Sequence, residues 1–444
     1  MAASSFQSNF ELEDKNQYLA GFNSYHQSET VAGVIPPVLS LPQQTKSNLY
    51  IERISGSSFT APRKDSKQTW LYRLLPSTCH EEFEALPDHP LNVSRQLPKP
   101  LDFSPEQTAW APVKVEEDRD FLEGLQLIGG AGDPVMKSGL AYYVFTAGKS
   151  MFAEHAFSST DGDFLLVLQQ GAMDVRTEMG MMRVRPNEIC VIPRGIRFNV
   201  SLPAGSVRGF AMEVYEGHFD LPELGPIGSC GLANIRDFQI PVASYETSDA
   251  STTMFVKFAG KMYRTSYRHS IFNVAGWHGT YYPFKYDLRK FNTIGSISYD
   301  HPDPSIFTVL TVPSRVPGEA VADVVVFGPR WLVMEDSFRP PYFHRNTMTE
   351  FTFLIQGGFD VNPLPPPLHG MFALSNSMAA HGPDSASHKE AISVELKPVK
   401  VPENHMGVMF ESRYLIGLNR HAEAGWTRLP GKVTVTKGLK KAVL

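Results

Sequence analysis

The alternation of apolar and polar residues is clearest between residues 140 and 201, where it predicts a series of short β-strands. Gly, Asp-Gly, Met-Gly and Pro-Asn breaks separate the apolar segments, as is typical of tight turns. The predicted strands are LAYYVFTA, DFLLVLQQ, AMDVRTE, MMRVRP, EICVIPR and IRFNVSL. Regular short strands joined by tight turns indicate an antiparallel barrel or jelly roll.

Segments on both sides of this region extend the β pattern. Apolar and polar residues also alternate in NLYIERISGSSFTAPR (48–63) and WLYRLLPS (70–77). We expect a second barrel to begin near residue 290, with TIGSISYD and SIFTVLTV as strands. The acidic stretch EEDRDFLEGLQLI instead predicts a helix that stops at Gly129-Gly130. Residues 1–47 are polar and turn-rich, and we expect an extended arm there.

Composition sets limits on the class of protein. With 444 residues, 42% of them hydrophobic, the chain is long enough for two or three domains with separate cores. The net charge of −5, without blocks of like charge, argues against nucleic acid as a partner. The sequence shows no secretory signal, no run of about 18 apolar residues and no peroxisomal tripeptide, so we expect a soluble cytoplasmic protein. Cys79, Cys190 and Cys230 lack CxxC spacing and are interpreted as small buried residues in a reducing compartment.

The segment PNEICVIPRGIRF (186–198) resembles the cupin barrel, whose P-x-G-x-x-H motif carries a metal-binding His. Pro193, Arg194 and Gly195 fit this motif, but Phe198 occupies the position of the His. The first barrel is therefore predicted to keep the cupin shape without this ligand and to have a structural role.

The stretch FRPPYFHRNTMTEFTFLIQG (338–357) holds the best candidate chemistry. Residues six apart lie about 20 Å apart along a strand and on different faces of a helix, so a turn must bring His344 and Glu350 together. Cupins achieve this with H-x-H-x(3,4)-E-x(6)-G, and His344, Glu350 and Gly357 fit that pattern. Asn346 replaces the second His, so the missing ligand should come from later in the chain.

His381, in MAAHGPDS, is the best candidate for that ligand, because the Gly and Pro that follow favour a tight turn. Two His and one carboxylate form the facial triad that leaves coordination positions open on Fe(II). Against this stands the simpler reading of two hydrogen-bonded loop histidines and a solvated glutamate.

The other histidines offer weaker candidates. His301, in YDHPDPSIF, lies between Asp300 and Asp303, and a neighbouring carboxylate can orient a His and raise its basicity, as suits a general base. A turn-capping His is the alternative. His278 and His369 could line a pocket or satisfy a core hydrogen bond. We interpret three more as structural: His218, His388 and His405.

Many longer stretches, spread over nearly the whole chain, match one enzyme family. They are NLYIERISGSSFTAPR, WLYRLLPS, GGAGD, DGDFL, PNEICVIPRG, LPELGPIGSCGLANIRDF, AGWHG, DHPDPSIFTVLT, RPPYFHRNTMTEF and HGPD. In these stretches the chain resembles homogentisate 1,2-dioxygenase. The resemblance implies Fe(II) held by His344, Glu350 and His381, with His301 as the base near the substrate and His381 also contacting it. It further implies ring opening of homogentisate (2,5-dihydroxyphenylacetate) with O2 to maleylacetoacetate, in tyrosine and phenylalanine catabolism.

The resemblance also implies an architecture, which we state as an expectation. The fold is expected to be mainly β, a two-domain cupin-like jelly roll or β-barrel (bicupin) with the metal in the C-terminal barrel. Residues 1–289 would form a β-rich domain with a degenerate cupin barrel, and residues 290–444 the iron-binding cupin domain. A trimer or a dimer of trimers is the expected assembly, and a small aromatic substrate and O2 are the expected partners.

Three departures from the family concern the substrate side. Phe359, in QGGFD, stands where the family has a substrate-pocket Tyr. The family's GFGNE reads GFNSY (21–25), and the segment between His369 and His381 is about six residues longer than in the family. These differences leave a related hydroquinone or a salicylate-like ring open as the substrate. A Zn or Mn cupin isomerase or lyase and a non-catalytic cupin scaffold are the other two readings.

Overall fold

Strands dominate the computed structural model of the chain, which describes residues 12–92, 102–223, 232–293, 304–333, 335–359 and 363–443. The first fourteen strands are β1 (Tyr18–Ala20), β2 (His26–Glu29), β3 (Tyr50–Ser55), β4 (Gln68–Arg73), β5 (Glu84–Ala85), β6 (Thr108–Trp110), β7 (Leu125–Asp133), β8 (Ser138–Ala147), β9 (His155–Ser159), β10 (Asp163–Gln170), β11 (Met173–Thr177), β12 (Gly180–Val184), β13 (Glu188–Ile192) and β14 (Phe198–Ser201). The remaining described strands are β15 (Val207–Val214), β16 (Gln239–Pro241), β17 (Thr252–Phe258), β18 (Lys261–Tyr267), β19 (Val274–Gly279), β20 (Phe284–Asp287), β21 (Thr308–Pro313), β22 (Ala320–Phe327), β23 (Trp331–Leu332), β24 (Thr349–Gln356), β25 (Phe372–Ser375), β26 (Val399–Lys400), β27 (Met406–Ser412) and β28 (Gly417–Leu418).

Helices are short throughout the described ranges. The α-helices are α1 (Ser385–Ala391), α2 (Arg420–Glu423) and α3 (Lys432–Thr436). Single 3₁₀ turns lie at Lys46–Asn48, Arg63–Asp65, Pro134–Met136, Ile235–Asp237, Leu288–Lys290, Pro304–Phe307 and Pro366–Leu368. None of the helices in the described part of the chain has the length and apolar character that crossing a membrane requires. The prediction of a mainly β fold is confirmed.

Most strands belong to three large sheets. The nine-stranded sheet has the order β1-β16-β20-β13-β10-β15-β8-β7-β28, and the seven-stranded sheet has the order β12-β11-β14-β9-β17-β18-β5. The six-stranded sheet has the order β21-β22-β27-β24-β25-β6. A four-stranded sheet, β2-β19-β4-β3, and the pair β23-β26 complete the described strands.

The nine- and seven-stranded sheets pack against each other, with Phe157 of the seven-stranded sheet 6.0 Å from Phe164 of the nine-stranded sheet. We call the two sheets together the N-terminal unit. Phe198, from the seven-stranded sheet, is 1% exposed, and its ring lies 5.5 Å from Phe157 and 6.1 Å from Phe121. An aromatic core contact therefore occupies the position where the cupin motif has a metal ligand.

The six-stranded sheet, which we call the C-terminal sheet, has two different faces. On its core face the rings of Phe351 and Phe410 pack against Tyr142 of the nine-stranded sheet, at centroid distances of 5.0 and 5.7 Å. On the same face, Phe353 stacks on Phe210 at 4.3 Å. Because side chains alternate along a strand, the residues between these aromatics point to the opposite face, which we call the ligand face.

The two units exchange strands. β6 comes from the first third of the chain but pairs with β25 of the C-terminal sheet. In return, β28, near the end of the chain, pairs with β7 of the nine-stranded sheet.

Most local predictions are confirmed, with exceptions that have physical reasons. All six strands predicted between residues 140 and 201 are present, as β8 and β10 to β14. The predicted helix at 116–128 is wrong, because the Asp120 carboxylate accepts the N–H groups of Leu122 and Glu123 in a turn. At Gly124 a Cβ would lie 1.7 Å from the Thr146 carbonyl oxygen, and the chain then enters β7.

Two further expectations have mixed outcomes. The predicted strand TIGSISYD falls almost entirely outside the described residues, whereas SIFTVLTV (305–312) overlaps β21 and begins in the 3₁₀ turn before it. Cys190 is buried as expected, but the prediction for Cys79 is wrong because its side chain is exposed. Cys230 lies outside the described residues.

Candidate metal centre

The three predicted ligands come from three separate segments that meet at one end of the ligand face. Glu350 is the second residue of β24 and is buried. His344 and His381 lie in loops that pair with each other through two backbone hydrogen bonds, of 2.9 and 3.1 Å. The turn between His344 and Glu350 supplies the chain reversal that the sequence spacing requires.

The ligand atoms of these residues face one another. One nitrogen of each imidazole and one carboxylate oxygen all lie within 4.8 Å of one another. The Glu350 carboxylate is 2.8 Å from Nε2 of His381 and 3.5 Å from Nε2 of His344. The two imidazole rings lie 4.2 Å apart at their centroids.

Both imidazoles are oriented by their own loops. Nδ1 of His344 lies 2.8 Å from the carbonyl oxygen of Tyr342, and Nδ1 of His381 lies 2.9 Å from that of Ala379. A carbonyl can only accept, so each Nδ1 carries the proton and donates it. Nε2 of each ring then faces Glu350 and becomes a ligand atom when it carries no proton, which is the usual arrangement of metal-binding histidines.

The charges of the three side chains influence one another. Burial alone would raise the pKa of Glu350, but its hydrogen bonds to His344 and His381 lower that pKa to about 2. The hydrogen bond to Glu350 in turn raises the pKa of His344. Glu350 is therefore an anion at neutral pH and is ready to bind a cation.

A row of polar side chains continues from Glu350 across the ligand face. Strand pairing places Glu350 opposite Glu411, and Glu411 opposite Asp323. Burial raises the pKa of Asp323, and burial together with the negative charge of Glu350 raises the pKa of Glu411 to about 7. The Asn346 amide lies between two of these carboxylates, with Nδ2 3.0 Å from Glu350 and 2.9 Å from Glu411.

The ligand face becomes apolar away from this row. The next row of cross-strand neighbours contains Val325, Met409 and Thr352, and the row after it contains Gly407. A Cβ on Gly407 would meet the ring of Phe359 at 2.2 Å, so Phe359 lies directly over this glycine. Glu411 is four positions after Gly407 on the same strand, so the two residues lie about 13 Å apart.

The donor set fits a small divalent cation. Two neutral imidazole nitrogens and one carboxylate are the ligands that non-haem Fe(II) takes in a facial triad. Zn and Mn use the same ligand types, so the donor set alone leaves them open.

The remaining predicted site residues have different outcomes. His301 lies outside the described residues, and its role stays a prediction. His278 satisfies core hydrogen bonds, because Tyr25 bonds its Nδ1 and Tyr72 bonds its Nε2 at 2.9 Å. His369 lies between the backbone groups of Gly357 and Leu364.

Sequence reasoning missed Glu411 and the bridging amide of Asn346. Alternation along β27 places Glu411 on the same face as Met409, which is readable from the sequence MGVMFES. Its position opposite Glu350 cannot be predicted from the sequence pattern, because it depends on the register between two strands that are distant along the chain.

Comparisons with known proteins identify the family of the chain. The family model described as homogentisate 1,2-dioxygenase N-terminal matches residues 17–288, and the C-terminal model of that family matches residues 289–441. The homogentisate 1,2-dioxygenase of Emericella nidulans is 48% identical over 415 residues, which covers 92% of each chain. That of Dictyostelium discoideum is 46% identical, covering 92% of this chain and 93% of its own. That of Pseudomonas syringae pv. tomato is 44% identical over 92% of each chain.

Proposed function

This chain belongs to the homogentisate 1,2-dioxygenase family, and we propose that it opens the ring of homogentisate with dioxygen, to maleylacetoacetate, at the site of His344, Glu350 and His381. The reaction is a step in tyrosine and phenylalanine catabolism. The proposal is carried by one observation, the convergence of three ligand atoms within 4.8 Å on a buried carboxylate and two backbone-oriented imidazoles.

The cofactor we propose is Fe(II), held by those three side chains. Bound there, it would supply open coordination positions for the oxygens of the substrate and for dioxygen. The protein contributes one negative charge, on Glu350, and two neutral rings whose Nδ1–H groups are held by backbone carbonyls. Because these carbonyls fix the ring orientations, the ligand set is largely formed before the metal arrives.

The rest of the ligand face suits an aromatic substrate. Val325 and Met409 form an apolar row next to the polar row of Glu350 and Glu411. They pack with Ile306 and Phe307, so a substrate ring would lie against this apolar cluster while its oxygens reach the metal. Phe359 lies farther along the same face and would contact the distal part of a substrate. His301 is our candidate for the base that takes the phenol proton, supported by the flanking Asp300 and Asp303.

Further parts of the proposal concern architecture. We assign the iron to a C-terminal cupin domain of residues 290–444 and a degenerate barrel to residues 1–289, supported by the limits of the two family matches. A trimer-based assembly in the cytoplasm is part of the same proposal.

Oxygen uptake by Fe(II)-loaded protein tests the function. We expect consumption of one O2 per homogentisate, no product under anaerobic conditions, and much slower uptake with gentisate or unsubstituted hydroquinone. Product formed without O2 would contradict the proposal and favour a metal-dependent isomerase or lyase.

The presence of Phe359 where the family has a Tyr favours a second candidate function, a dioxygenase for a related hydroquinone. Its ring offers no hydroxyl to a polar substrate group, and it packs against Gly407 and at 6.3 Å from Phe327. Uptake with another ring but not with homogentisate would favour this candidate.

A further inference from the structure

The side chain of Asn346 is fixed at both ends next to the metal ligands. Its Oδ1 accepts the backbone N–H of Met348 at 3.0 Å, which sets the orientation of the amide. Its Nδ2 therefore points to the carboxylates, at 3.0 Å from Oε1 of Glu350 and 2.9 Å from Oε1 of Glu411. The backbone carbonyl of Asn346 also accepts the N–H of Met378, at 2.7 Å. The loop and the amide are thus held as one unit.

The two carboxylates that accept hydrogen bonds from the Asn346 amide have different neighbours. Glu350 has its other oxygen, Oε2, at 2.8 Å from His381, on the side where the imidazoles converge. Glu411 is the cross-strand neighbour of Glu350, on a strand about 4.8 Å away. A carboxylate at that distance is itself a hard ligand for a divalent cation, and a change of rotamer would bring it closer to the site.

We propose that Asn346 is a positioning residue that assigns one carboxylate oxygen to the metal and keeps Glu411 out of the coordination sphere. One amide N–H bonds Oε1 of Glu350, which lies 3.5 Å from Nε2 of His344, and leaves Oε2, 2.8 Å from Nε2 of His381, without an amide hydrogen bond. The other N–H holds Glu411 in place. An amide can hold both carboxylates because it donates two hydrogen bonds without adding a charge. The inference rests on the proposed function, because it assumes that the triad binds a metal.

The test uses the full-length protein, stripped of metal and titrated with Co(II) as a spectroscopic probe. In Asn346→Ala we expect Glu411 to enter the coordination sphere, which weakens the visible Co(II) absorption as the coordination number rises. The kcat of the Fe(II)-loaded variant should fall about 10- to 100-fold, the range found for changes in residues that orient ligands. Asn346→Leu, which keeps the size but has no N–H, should behave in the same way and provides a second variant if Asn346→Ala does not fold.

A double variant separates positioning from a general structural effect. Asn346→Ala combined with Glu411→Gln should regain the wild-type Co(II) spectrum, because the competing carboxylate is then absent. Asn199→Ala is a matched control, since the Nδ2 of Asn199 also donates to two oxygens, at 2.8 and 2.9 Å, but in the N-terminal unit. It should leave the spectrum unchanged.

The outcomes also separate this inference from the function. An unchanged Co(II) spectrum in Asn346→Ala, or an equal change with and without Glu411→Gln, would overturn the positioning role alone. A wild-type protein that takes up no Co(II) or Fe(II) at one ion per chain would overturn both.

Discussion

The N-terminal unit and the C-terminal sheet treat their buried charges in opposite ways. In the N-terminal unit Lys257 is 1% exposed and its ammonium lies 2.8 Å from Asp161 and 2.9 Å from Glu213. Asp163, 2% exposed, is paired with Arg194 at 2.8 Å and with His218 at 2.7 Å. Each of these acids has its cation built into the chain.

On the ligand face of the C-terminal sheet the acids differ, as far as the described part of the chain shows. In the contacts described for Glu350, Glu411 and Asp323, neither Lys nor Arg lies within ion-pair distance. Glu350 instead faces the Nε2 atoms of two imidazoles, and a metal ion held by all three side chains would take the place of these contacts. Buried carboxylates that are paired with a Lys or Arg side chain therefore contribute to the stability of the fold. Buried carboxylates without such a pair instead indicate a candidate cation-binding site.

Removing the central acid of the C-terminal site should have the largest effect. Glu350→Ala should lose Fe(II) binding and reduce kcat/KM by more than about 100-fold, because even residues that only orient ligands contribute up to that factor. Metal analysis of the purified protein and oxygen uptake measure the two losses. Glu84→Ala, on an exposed strand, is the control and should keep both. Iron retained at one ion per chain in Glu350→Ala would exclude the triad.

Removing a paired acid from the N-terminal unit should instead affect stability. Asp163→Asn leaves Arg194 and His218 without their partner and should lower the free energy of unfolding by about 3–5 kcal/mol, measured with denaturant. The folded fraction should still bind iron. Glu84→Gln breaks an exposed pair with Arg264 and should change the stability little. If Asp163→Asn reduced the metal content per folded chain, the separation between the two units would be wrong.

Replacing Phe198 by the His of the cupin motif tests whether the N-terminal unit retains part of a metal site. Phe198→His should reduce the free energy of unfolding by about 1–3 kcal/mol, because it places a polar ring among Phe121 and Phe157. It should add no second metal site, since within the described ranges the metal-ligand group is that of His344, Glu350 and His381. The reverse exchange, His381→Phe, should abolish metal binding. A second equivalent of bound metal in Phe198→His would show that the N-terminal unit kept more of a site than its packing indicates.

Lowering the pH should remove part of the stabilisation that the Asp163 carboxylate contributes. Burial would raise the pKa of Asp163, but the charges of His218 and Arg194 lower it from 3.8 to about 2. The stabilisation from this lowered pKa is complete above about pH 4 and is lost as the pH falls towards 2, and it amounts to roughly 2 kcal/mol. The difference in unfolding free energy between wild type and Asp163→Asn should therefore shrink by about that amount in this range. Parallel curves would contradict the assignment.

The smallest expected effect lies at the far end of the ligand face. Phe359→Tyr adds a hydroxyl about 13 Å from the row of Glu350, and a new hydrogen bond to substrate would contribute about 1 kcal/mol, or about fivefold in KM. Phe327→Tyr, on the neighbouring strand, is the control. A KM for homogentisate that falls in both variants alike would show that Phe359 has no special role.

The sequence predicts local features of both units well and their assembly less well. Turn residues and alternation located the strands between 140 and 201, and ligand spacing identified His344 and Glu350 because their chemistry needs a fixed set of residue types. The helix predicted at 116–128 is absent, because the Asp120 turn and the close approach of Gly124 to Thr146 are not encoded in the local pattern. The position of Glu411 beside Glu350 depends on strand register, which no single segment encodes.

The exchange of β6 and β28 has a consequence for how the protein is made. During synthesis, the residues of β7 leave the ribosome long before Gly417 and Leu418, so this part of the edge of the nine-stranded sheet stays uncovered until those two residues emerge. An open edge strand is a template for pairing with other chains. Nascent chains that stall before residue 417 should therefore aggregate or recruit chaperones, even though their family-matched N-terminal part is complete.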